Sequence, residues 1–420
     1  MACILRCKLR TLAKVMRKIQ AAALLFVALM TGCSTVPTTT PPATCTPAAA
    51  CPACPACPGQ PQTLTPPPFS RSFQPANWSD LPGWSDDDVA AAWPAFLLSC
   101  RAVAGRPNGP GWKRVCDLAR KADGKPGNDP RLFFEQNLKP YAILAGDASD
   151  SGMVTGYYEP LLRGSRTRSK GYAQPVLGVP DDLLTIDLSS VFPELKDKRV
   201  RGRLEGNKVV PYWSRAEILA RGEKIPGKTL LYVDDAVELF FLQVQGSGRV
   251  KLTDGSMVRL NYADQNGQPY QSIGRILVER GELKLEDASM QGIQSWARAN
   301  PTRLDSLLNV NPSYVFFREV PNSQDGPTGA LGVPLTAERS IAVDPRSVPL
   351  GSPVFLATTR PNSGVPMNRL VMAQDTGGAI KGAVRADFFW GFGKEAGEQA
   401  GRMKQSGRVW ILLPSELAPK

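Results

Sequence analysis

The sequence predicts a mainly β protein with peripheral helices, and three observations lead to this fold class. Glycine and proline each occur 38 times in 420 residues, which favours frequent turns over long helices. Between the turns lie short runs of branched and aromatic residues, such as 340–343 and 408–413, which are typical of strands. These strands follow one another at short intervals without an internal repeat, a pattern that favours barrels over a parallel sheet with crossover helices.

Helical patterns occur near the start of the globular region and again in two later stretches. Three consecutive aspartates at 86–88 precede an apolar run, as is typical of a helix N-terminus, and Pro94 should break or kink that helix. The predicted helices cover short pieces of 86–146, including 131–146, then 272–308 and 394–405. The predicted strands are 154–158, 228–233, 237–244, 249–252, 257–262, 315–318, 340–343, 353–358, 369–373, 388–390 and 408–413.

The N-terminal segment has the features of an export signal. Residues 1–20 carry six Lys or Arg and no acid, and an apolar run follows at 21–30. Ten apolar residues are too few to span a bilayer but suit the core of a signal peptide. The run ends in MTGC, which resembles a bacterial lipobox and implies cleavage before Cys33 and lipid attachment to it; ordinary secretion is the alternative. Met16 is an alternative start.

Charge and composition exclude several classes of function. The formal net charge is +12, and removal of the six cations in 1–32 leaves +6. A modestly basic surface suits an acidic polymer, but no dense Lys/Arg cluster with interleaved aromatics is present, so nucleic-acid binding is not expected. The chain contains no histidine. Proton transfer must therefore use Asp, Glu, Lys, Tyr or Cys.

Residues 34–70 are predicted to be a tether. They contain eleven prolines and no charged residue, a composition that favours an extended polyproline-like chain. Cys51, Cys54 and Cys57 lie in this stretch with the spacing of metal or redox motifs. We interpret them as incidental cysteines of a spacer, because a tether supplies no surrounding shell of ligands.

Cys100 and Cys116 are the only cysteines in the globular part of the sequence. In an exported protein they are candidates for a disulfide that closes a short loop. A catalytic thiol is the alternative, which the lack of histidine disfavours.

The densest polar cluster is QDTGGAIKG at 374–382, followed by RAD at 385–387. Asp375 ends an apolar strand and Asp387 begins an aromatic one, so the two carboxylates, joined by a turn that carries Lys381, could share a cleft. An apolar neighbourhood would raise the pKa of one carboxyl and make it a usable general acid. In the alternative interpretation, both aspartates only hold backbone amides in turns.

Two smaller clusters are candidate glycan contacts. In the first, the predicted strand alternation places Gln243 and Gln245 on one face, next to a turn with Gly246 and Ser247. Amide side chains suit sugar hydroxyls because they offer a donor and an acceptor together; an ordinary exposed turn is the alternative.

The second small cluster is TGYYEP at 155–160, which includes Thr155, Tyr157 and Tyr158. Adjacent tyrosines of a strand point to opposite faces, so one should pack in the core while the other could stack on a sugar ring. Packing of both is the alternative.

Taken together, these clusters resemble the membrane-bound lytic murein transglycosylase A family. The resemblance covers about 80–415. Its segments are TGYYEP at 155–160, FFLQVQGSG at 240–248, YADQNGQPYQSIGRIL at 262–277, NPSYVFF at 311–317, QDTGGAIKG and RAD within 374–387, and GRVWILLP at 407–414. The motif DTGGAIKG alone also resembles small double-psi barrel modules of wall-acting and expansin-like proteins.

The resemblance implies a two-domain fold with a glycan-binding groove between the domains. A double-psi β-barrel would be built from 76–161 together with 306–415, and a smaller β-barrel would be inserted at 162–305. The signal peptide would be 1–32, and the lipidated tether 33–75.

The resemblance also implies an activity. The enzyme would cleave the β-1,4 bond between N-acetylmuramic acid and N-acetylglucosamine in peptidoglycan and form a 1,6-anhydromuramic end, with no metal or organic cofactor. Asp387 would be the general acid and then the base, and Asp375 a supporting group. Thr155, Tyr157, Tyr158, Gln245, Gly246, Ser247 and Lys381 would be substrate contacts.

The expected partners are glycan strands and complexes for wall synthesis or hydrolysis. The protein is expected to be held in the bacterial outer membrane by a lipid on Cys33 and to face the periplasm. Two rival functions stay open at this point. One is a two-carboxylate hydrolase of the same bond, and the other is a non-catalytic wall-binding or wall-loosening protein.

Overall fold

The computed structural model describes residues 72–419, apart from 107–108, 196–197 and 199. The signal peptide, Cys33 and most of the predicted tether lie outside the described residues. The last residues of the predicted tether form a strand, β1 (Ser72–Pro75), which pairs with the second strand of the chain. Within the described part, no helix combines the length and the apolar character that crossing a membrane requires.

Nine α-helices are present among the described residues, and most are short. The N-terminal group carries aromatic and cysteine side chains on its buried faces. The helices are α1 (Trp93–Val103), α2 (Gly109–Ala122), α3 (Pro130–Asn137), α4 (Arg215–Arg221), α5 (Ala236–Gln245), α6 (Ile273–Glu279), α7 (Met290–Ala299), α8 (Leu304–Leu308) and α9 (Gly393–Arg402).

The described chain also forms sixteen strands after β1. The first ones are β2 (Lys139–Leu144), β3 (Ser151–Glu159), β4 (Leu161–Ser165), β5 (Gln174–Leu177), β6 (Leu184–Thr185), β7 (Arg201–Glu205), β8 (Lys208–Pro211) and β9 (Thr229–Val233). The others are β10 (Ser247–Leu252), β11 (Met257–Gln265), β12 (Val315–Val320), β13 (Ser340–Val343), β14 (Pro353–Thr359), β15 (Pro366–Asp375), β16 (Ala386–Phe392) and β17 (Lys404–Leu413).

The largest sheet closes on itself. Its order is β1-β2-β17-β14-β15-β13-β16-β3, and β17 also pairs with β3. This extra pairing makes a ring of six strands, because the first half of β17 binds β3 while its second half binds β2 and β14. Two pairs in the ring, β13 with β15 and β16 with β3, are parallel. The ring encloses a core of alternate residues that includes Val154, Ile341 and Phe388.

A second sheet has the order β12-β11-β10-β4-β9-β5 and its own apolar core. A small third sheet, β6-β7-β8, follows β5 in the chain. The second sheet is continuous with the first through β3 and β4, because only Pro160 separates Glu159 from Leu161. The mainly β class predicted from the sequence agrees with this architecture.

The N-terminal helices cover one side of the ring and are tied together by a disulfide. Cys100 on α1 and Cys116 on α2 are bonded, as the sequence predicts. Phe96, Phe133 and Phe134 pack around Trp93 beside this bond. The helices therefore share a buried core with strands β14 and β15.

Two predicted elements are wrong. The segment 237–244 is not a strand but most of helix α5, in which Asp235 caps the N-terminus and Gly246 ends the helix at φ +80°. The apolar residues of this helix are buried nearly all round, so the sequence lacks the polar positions that mark helical periodicity. The predicted helix 131–146 ends at Asn137 and gives way to β2, in which Pro140 interrupts helical hydrogen bonding.

Candidate active site

Three adjacent strands bring Asp375 and Asp387 to the same level of the barrel. Ala342 of β13 is the cross-strand partner of Asp375 on one side and of Asp387 on the other. Neighbouring strands lie about 4.8 Å apart, so two strand spacings place the backbones of the two aspartates at roughly 10 Å. Thr155 of β3 continues the same row as the partner of Asp387.

The acid pair stands on the outer face of these strands over a small apolar floor. Side chains alternate along a strand, so Tyr157 shares the face of Thr155, and Phe389 shares that of Asp387. The Tyr157 and Phe389 rings have centroids 5.2 Å apart. Together with Ala342, Leu335 and Ile380, they form a buried cluster separate from the barrel core.

Asp387 is held on one side and open on the other. Its Oδ1 accepts a 2.5 Å hydrogen bond from Thr155 Oγ1, which in turn accepts one of 2.8 Å from Arg385 Nη2. Its Oδ2 accepts no hydrogen bond from the described residues. Burial raises the pKa of Asp387, while the Thr155 hydroxyl and the charge of Arg385 act in the opposite direction.

Asp375 has both oxygens occupied. Oδ1 accepts a hydrogen bond of 2.9 Å from the Ala330 N–H, and Oδ2 accepts one of 3.1 Å from the Tyr157 hydroxyl. Burial raises the pKa of Asp375 to about 6, with a further contribution from the charge of Asp387. The pKa of Tyr157 lies well above its usual value, because the ring is buried and faces both carboxylates. Tyr157 therefore remains a hydrogen-bond donor to Asp375.

A third aspartate, Asp344, was not among the residues predicted from the sequence. It is buried directly after β13. Its Oδ2 accepts hydrogen bonds from the Gly382 N–H at 3.0 Å and from Arg346 Nη2 at 2.6 Å. Gly382 has φ +113°, a conformation that favours glycine. Asp344 thus anchors the turn that carries Lys381, and Lys381 itself is exposed.

Arg385, the first residue of the RAD motif, is also part of the site. Its guanidinium is buried and donates to Thr155 Oγ1 and to the backbone oxygens of Met153 and Ala386. The Arg385 charge acts on Asp387 at a distance, because hydrogen bonds join the two groups only through the Thr155 hydroxyl. The signal in the sequence for its role in the site is its position two residues before Asp387.

The remaining predicted contacts lie where β3 meets α5. The Tyr158 N–H donates to Gln245 Oε1 at 3.1 Å, and the Tyr158 ring packs against Gly397 of α9 in the core. Tyr157 is buried as well, so neither tyrosine offers an open ring face. Gln243 and Gln245 lie on a helix, which corrects the predicted strand alternation, and Gln243 is buried. Ser247 is buried at the start of β10.

Other parts of the described chain are weaker candidates. A cavity of about 630 Å³ lies beside the opposite ends of β13 and β15 and is lined by Asp86, Glu338, Arg360 and Arg369, among others. It contains neither Asp375 nor Asp387. The described residues contain no group of three or more Cys, Asp or Glu side chains arranged to hold a metal ion.

Comparison with known proteins assigns the chain to a family. A family model described as the MltA specific insert domain matches residues 153–318, and one described as the 3D domain matches 339–413. The 3D match contains Asp344, Asp375 and Asp387.

Individual relatives extend the match over most of the described chain. Membrane-bound lytic murein transglycosylase A of Escherichia coli (strain K12) is 34% identical over 293 residues, which make up 68% of this chain and 72% of that protein. The crystal structure of MltA from Neisseria gonorrhoeae in its monoclinic form is 41% identical and has a TM-score of 0.72, covering 83% of this chain and 94% of that one. E. coli MltA with bound chitohexaose is 29% identical, with a TM-score of 0.63 and coverage of 84% and 96%. The chain therefore belongs to the membrane-bound lytic murein transglycosylase A family.

Proposed function

We propose that this protein is a lytic transglycosylase. It cleaves the β-1,4 bond between N-acetylmuramic acid and N-acetylglucosamine in peptidoglycan and leaves a 1,6-anhydromuramic end. The observation that carries the proposal is the acid pair, in which one carboxylate oxygen faces no protein donor. Family membership and the sugar oligomer bound to the E. coli relative support the substrate class.

In this proposal, Asp387 is the general acid and then the general base. Protonated Asp387 gives its proton to the glycosidic oxygen as the bond from C1 of the muramic sugar breaks. The C6 hydroxyl of the same sugar then attacks C1, and Asp387 takes the hydroxyl proton. The acid is regenerated and no water is consumed. Attack from within the same sugar replaces the second carboxylate that hydrolases use, because the nucleophile is already positioned.

The hydrogen bonds favour Asp387 over Asp375 for this role. Both oxygens of Asp375 are occupied by Ala330 and Tyr157, whereas Asp387 Oδ2 is free to meet a substrate oxygen. Burial raises the pKa of both carboxyl groups, and the charge of Asp387 adds to this effect for Asp375. The site therefore holds a proton, on Asp375, up to about pH 6. In the glycan complex, we place this proton on the open carboxyl of Asp387.

The other predicted contacts divide into two groups. Thr155 and Tyr157 act on the glycan through the two carboxylates, which they hold by hydrogen bonds. Gln245, Gly246 and exposed Lys381 are proposed groove contacts. Tyr158 and Ser247 are buried, and we propose that they shape the wall behind those contacts.

We further propose that the six-stranded ring is a double-psi barrel and that the second sheet is an inserted domain. The closed ring and its two parallel pairs support the first point. The return from the insert to the barrel is better placed after Val320 than at 306, because β12 pairs with β11 of the second sheet.

The lipid anchor on Cys33 and the outer-membrane location are part of the same proposal. The names of the relatives support membrane association. Replacing Cys33 by Ala in the full chain should move the protein from the membrane fraction to the soluble periplasmic fraction. Retention of the variant in membranes would contradict the anchor.

The test of the activity is digestion of isolated sacculi in water enriched in heavy oxygen, followed by mass spectrometry. We expect fragments with anhydro ends and no incorporated label. Labelled reducing ends would identify a hydrolase instead, and binding to sacculi without soluble fragments would identify a non-catalytic wall-binding protein.

A further inference from the structure

A buried charge cluster lies where the barrel joins the second sheet. Glu159, the last residue of β3, is only 1% exposed. Arg249 of β10 donates from Nε to Glu159 Oε2 at 2.9 Å, while Arg259 Nε of β11 lies 3.8 Å from Oε1. Arg249 also covers the Phe392 ring at 4.3 Å. Two buried guanidinium groups thus share one carboxylate.

The second cation is not needed to neutralise Glu159. Arg249 already makes a close hydrogen-bonded pair with that carboxylate, and the Arg259 Nε is buried without a hydrogen-bond partner. An excess buried cation with an unsatisfied donor is costly. The rest of the Arg259 guanidinium therefore needs hydrogen-bond acceptors other than Glu159.

These acceptors lie in the 321–335 loop, which leads from β12 back to the barrel. Arg259 Nη2 donates to the Gly326 carbonyl at 2.8 Å, and Arg249 Nη2 donates to the Asp325 carbonyl at 3.2 Å. Asn261 Nδ2 donates to the Thr328 carbonyl at 3.2 Å. The second sheet therefore holds three carbonyls within four residues of this loop.

The same loop ends on the acid pair. Two residues after Thr328, the Ala330 N–H donates to Asp375 Oδ1 at 2.9 Å. The next residue, Leu331, donates to the Gln374 carbonyl, also at 2.9 Å. A carbon added at Gly329 would lie 2.6 Å from that carbonyl, so no side chain fits at this position of the loop.

Other charged groups around Asp375 cannot replace this contact. Asp387 and Tyr157 face it from β16 and β3. Arg106 reaches the loop from the end of α1, but its Nη2 donates to the carbonyls of Ala330 and Leu331 and not to the carboxylate. The Ala330 N–H is therefore the contact through which the loop acts on Asp375.

We propose that Arg259 is a positioning residue that fixes the 321–335 loop with the Ala330 N–H on Asp375, and so links the second sheet to the protonation of the acid pair. The inference rests on the proposed function only for the role of that pair in glycan cleavage. Arg259 does not touch the reacting atoms. It acts through Gly326 and the backbone that follows.

The test is an NMR titration of the Asp375 carboxyl in the intact protein without substrate, assigned by comparison with Asp375→Asn. In Arg259→Met the loop loses its hydrogen bond at Gly326, so the Ala330 N–H is held less closely on Asp375. We expect the Asp375 titration midpoint to rise by about one pH unit, the effect of one hydrogen bond to a charged group. Arg259→Lys, which keeps the charge, should restore part of the difference.

Two further variants keep the test decisive. Arg163→Met, which removes an exposed arginine of the same sheet that pairs with Asp234, should titrate like the wild type. Asn261→Ala removes only the Thr328 contact and changes no charged group, so it tests the anchoring of the loop if Arg259→Met does not fold. An unchanged Asp375 midpoint in folded Arg259→Met, or in Asn261→Ala if Arg259→Met does not fold, would overturn the proposal.

Activity on sacculi separates this inference from the proposed function. We expect Arg259→Met to lower kcat roughly 10-fold with little change in KM, because a displaced group near the reacting atoms affects the chemical step. A wild-type protein that releases no anhydro fragments would refute the proposed function. The Asp375 titration would still test the role of Arg259, because it uses no substrate.

Discussion

At the scale of single residues, the site depends on the different environments of two similar carboxyl groups. Asp375 accepts two hydrogen bonds and has a pKa of about 6, whereas Asp387 accepts one and keeps an open oxygen. Environments that separate two carboxyl groups in this way are typical of acid–base catalysis. The pair is thus suited to holding one proton and delivering it at one place.

Thr155 controls the proton affinity of Asp387. Its hydroxyl donates to the carboxylate and lowers the pKa, so Thr155→Val should raise the pKa of Asp387 by up to about one pH unit. If protonated Asp387 is the acid, the alkaline limb of the pH–rate profile should move upward. The measurement is the rate of anhydromuropeptide release against pH.

Thr185→Val, on exposed β6, is the matched control for this substitution and should leave the profile unchanged. A Thr155→Val profile that coincides with the wild type would disconnect Thr155 from the reacting acid.

Asp375 should make folding stability depend on pH. Its folded-state pKa lies above its ordinary value of 3.8, so ionisation disfavours the folded state, and stability falls as the pH rises from about 4 through about 6. Asp375→Asn removes this penalty. We expect it to increase the free energy of unfolding at pH 7 by roughly 1–2 kcal/mol, with no gain at pH 3.5.

Urea denaturation of Asp375→Asn at the two pH values measures this difference. The amide can keep both contacts, because the Tyr157 hydroxyl can accept as well as donate. Equal stability differences at the two pH values would show that the raised pKa is not the cause.

At the scale of elements, one turn, one loop and the strand β13 bring the acid pair together. Asp344 anchors the turn 376–382. Arg249 and Arg259 anchor the 321–335 loop. Pairing with Ala342 places both aspartates at the same level of the barrel. Each anchor is a buried charged group or a strand partner. Loops can carry function when a rigid scaffold fixes them in this way.

Asp344→Ala tests the first of these anchors. Burial raises the pKa of Asp344, but hydrogen bonds from Arg346 and Gly382 outweigh it, and the pKa lies below its usual value. The anchor is therefore present at neutral pH and lost as the pH falls through that lowered pKa. Asp344→Ala should reduce stability by about 1–3 kcal/mol.

Hydrogen exchange locates that effect. The Gly382 amide should exchange faster in Asp344→Ala, while amides in β14 should exchange as in the wild type. Unchanged protection of Gly382 would show that the turn holds its shape without Asp344.

The disulfide between α1 and α2 should support the barrel wall without touching the chemistry. It closes a loop of 16 residues, for which chain entropy gives about 3 kcal/mol. Reduction should lower Tm and leave the rate per folded molecule unchanged at room temperature. A double variant, Cys100→Ala with Cys116→Ala, should show a low Tm that does not respond to reductant. A wild-type Tm in that variant would contradict the stabilising role.

Much of the element structure could be predicted from the sequence, and the failures have physical causes. The strand at Ser340–Val343 agrees with prediction in both bounds, and those at 353–358 and 408–413 lie within observed strands, because short apolar runs between Gly and Pro are distinctive. Helix α5 was predicted as a strand, since a helix buried nearly all round has no alternation to distinguish it. The contact of Ala330 with Asp375 has no sequence signal, because a backbone N–H looks the same in every residue.

At the scale of the whole molecule, the two sheets have separate cores but share the site. The barrel supplies Thr155, Asp375 and Asp387, while the second sheet holds the 321–335 loop that reaches Asp375. Asp375 and Asp387 could be proposed from the sequence because they lie in one motif. The link to the second sheet could not, since Arg259 and Ala330 are 71 residues apart and meet only through the folded loop.

The most direct test of the whole account is the release of anhydromuropeptides from sacculi by Asp387→Asn, compared with Asp305→Asn as a charge-matched control at an exposed position of α8. We expect Asp387→Asn to fold like the wild type and to lose activity by about 10²–10⁴-fold, the usual contribution of a general acid. Asp305→Asn should keep wild-type activity. Anhydromuropeptide release by folded Asp387→Asn at a rate near that of the wild type would contradict the claim that this carboxyl carries the proton.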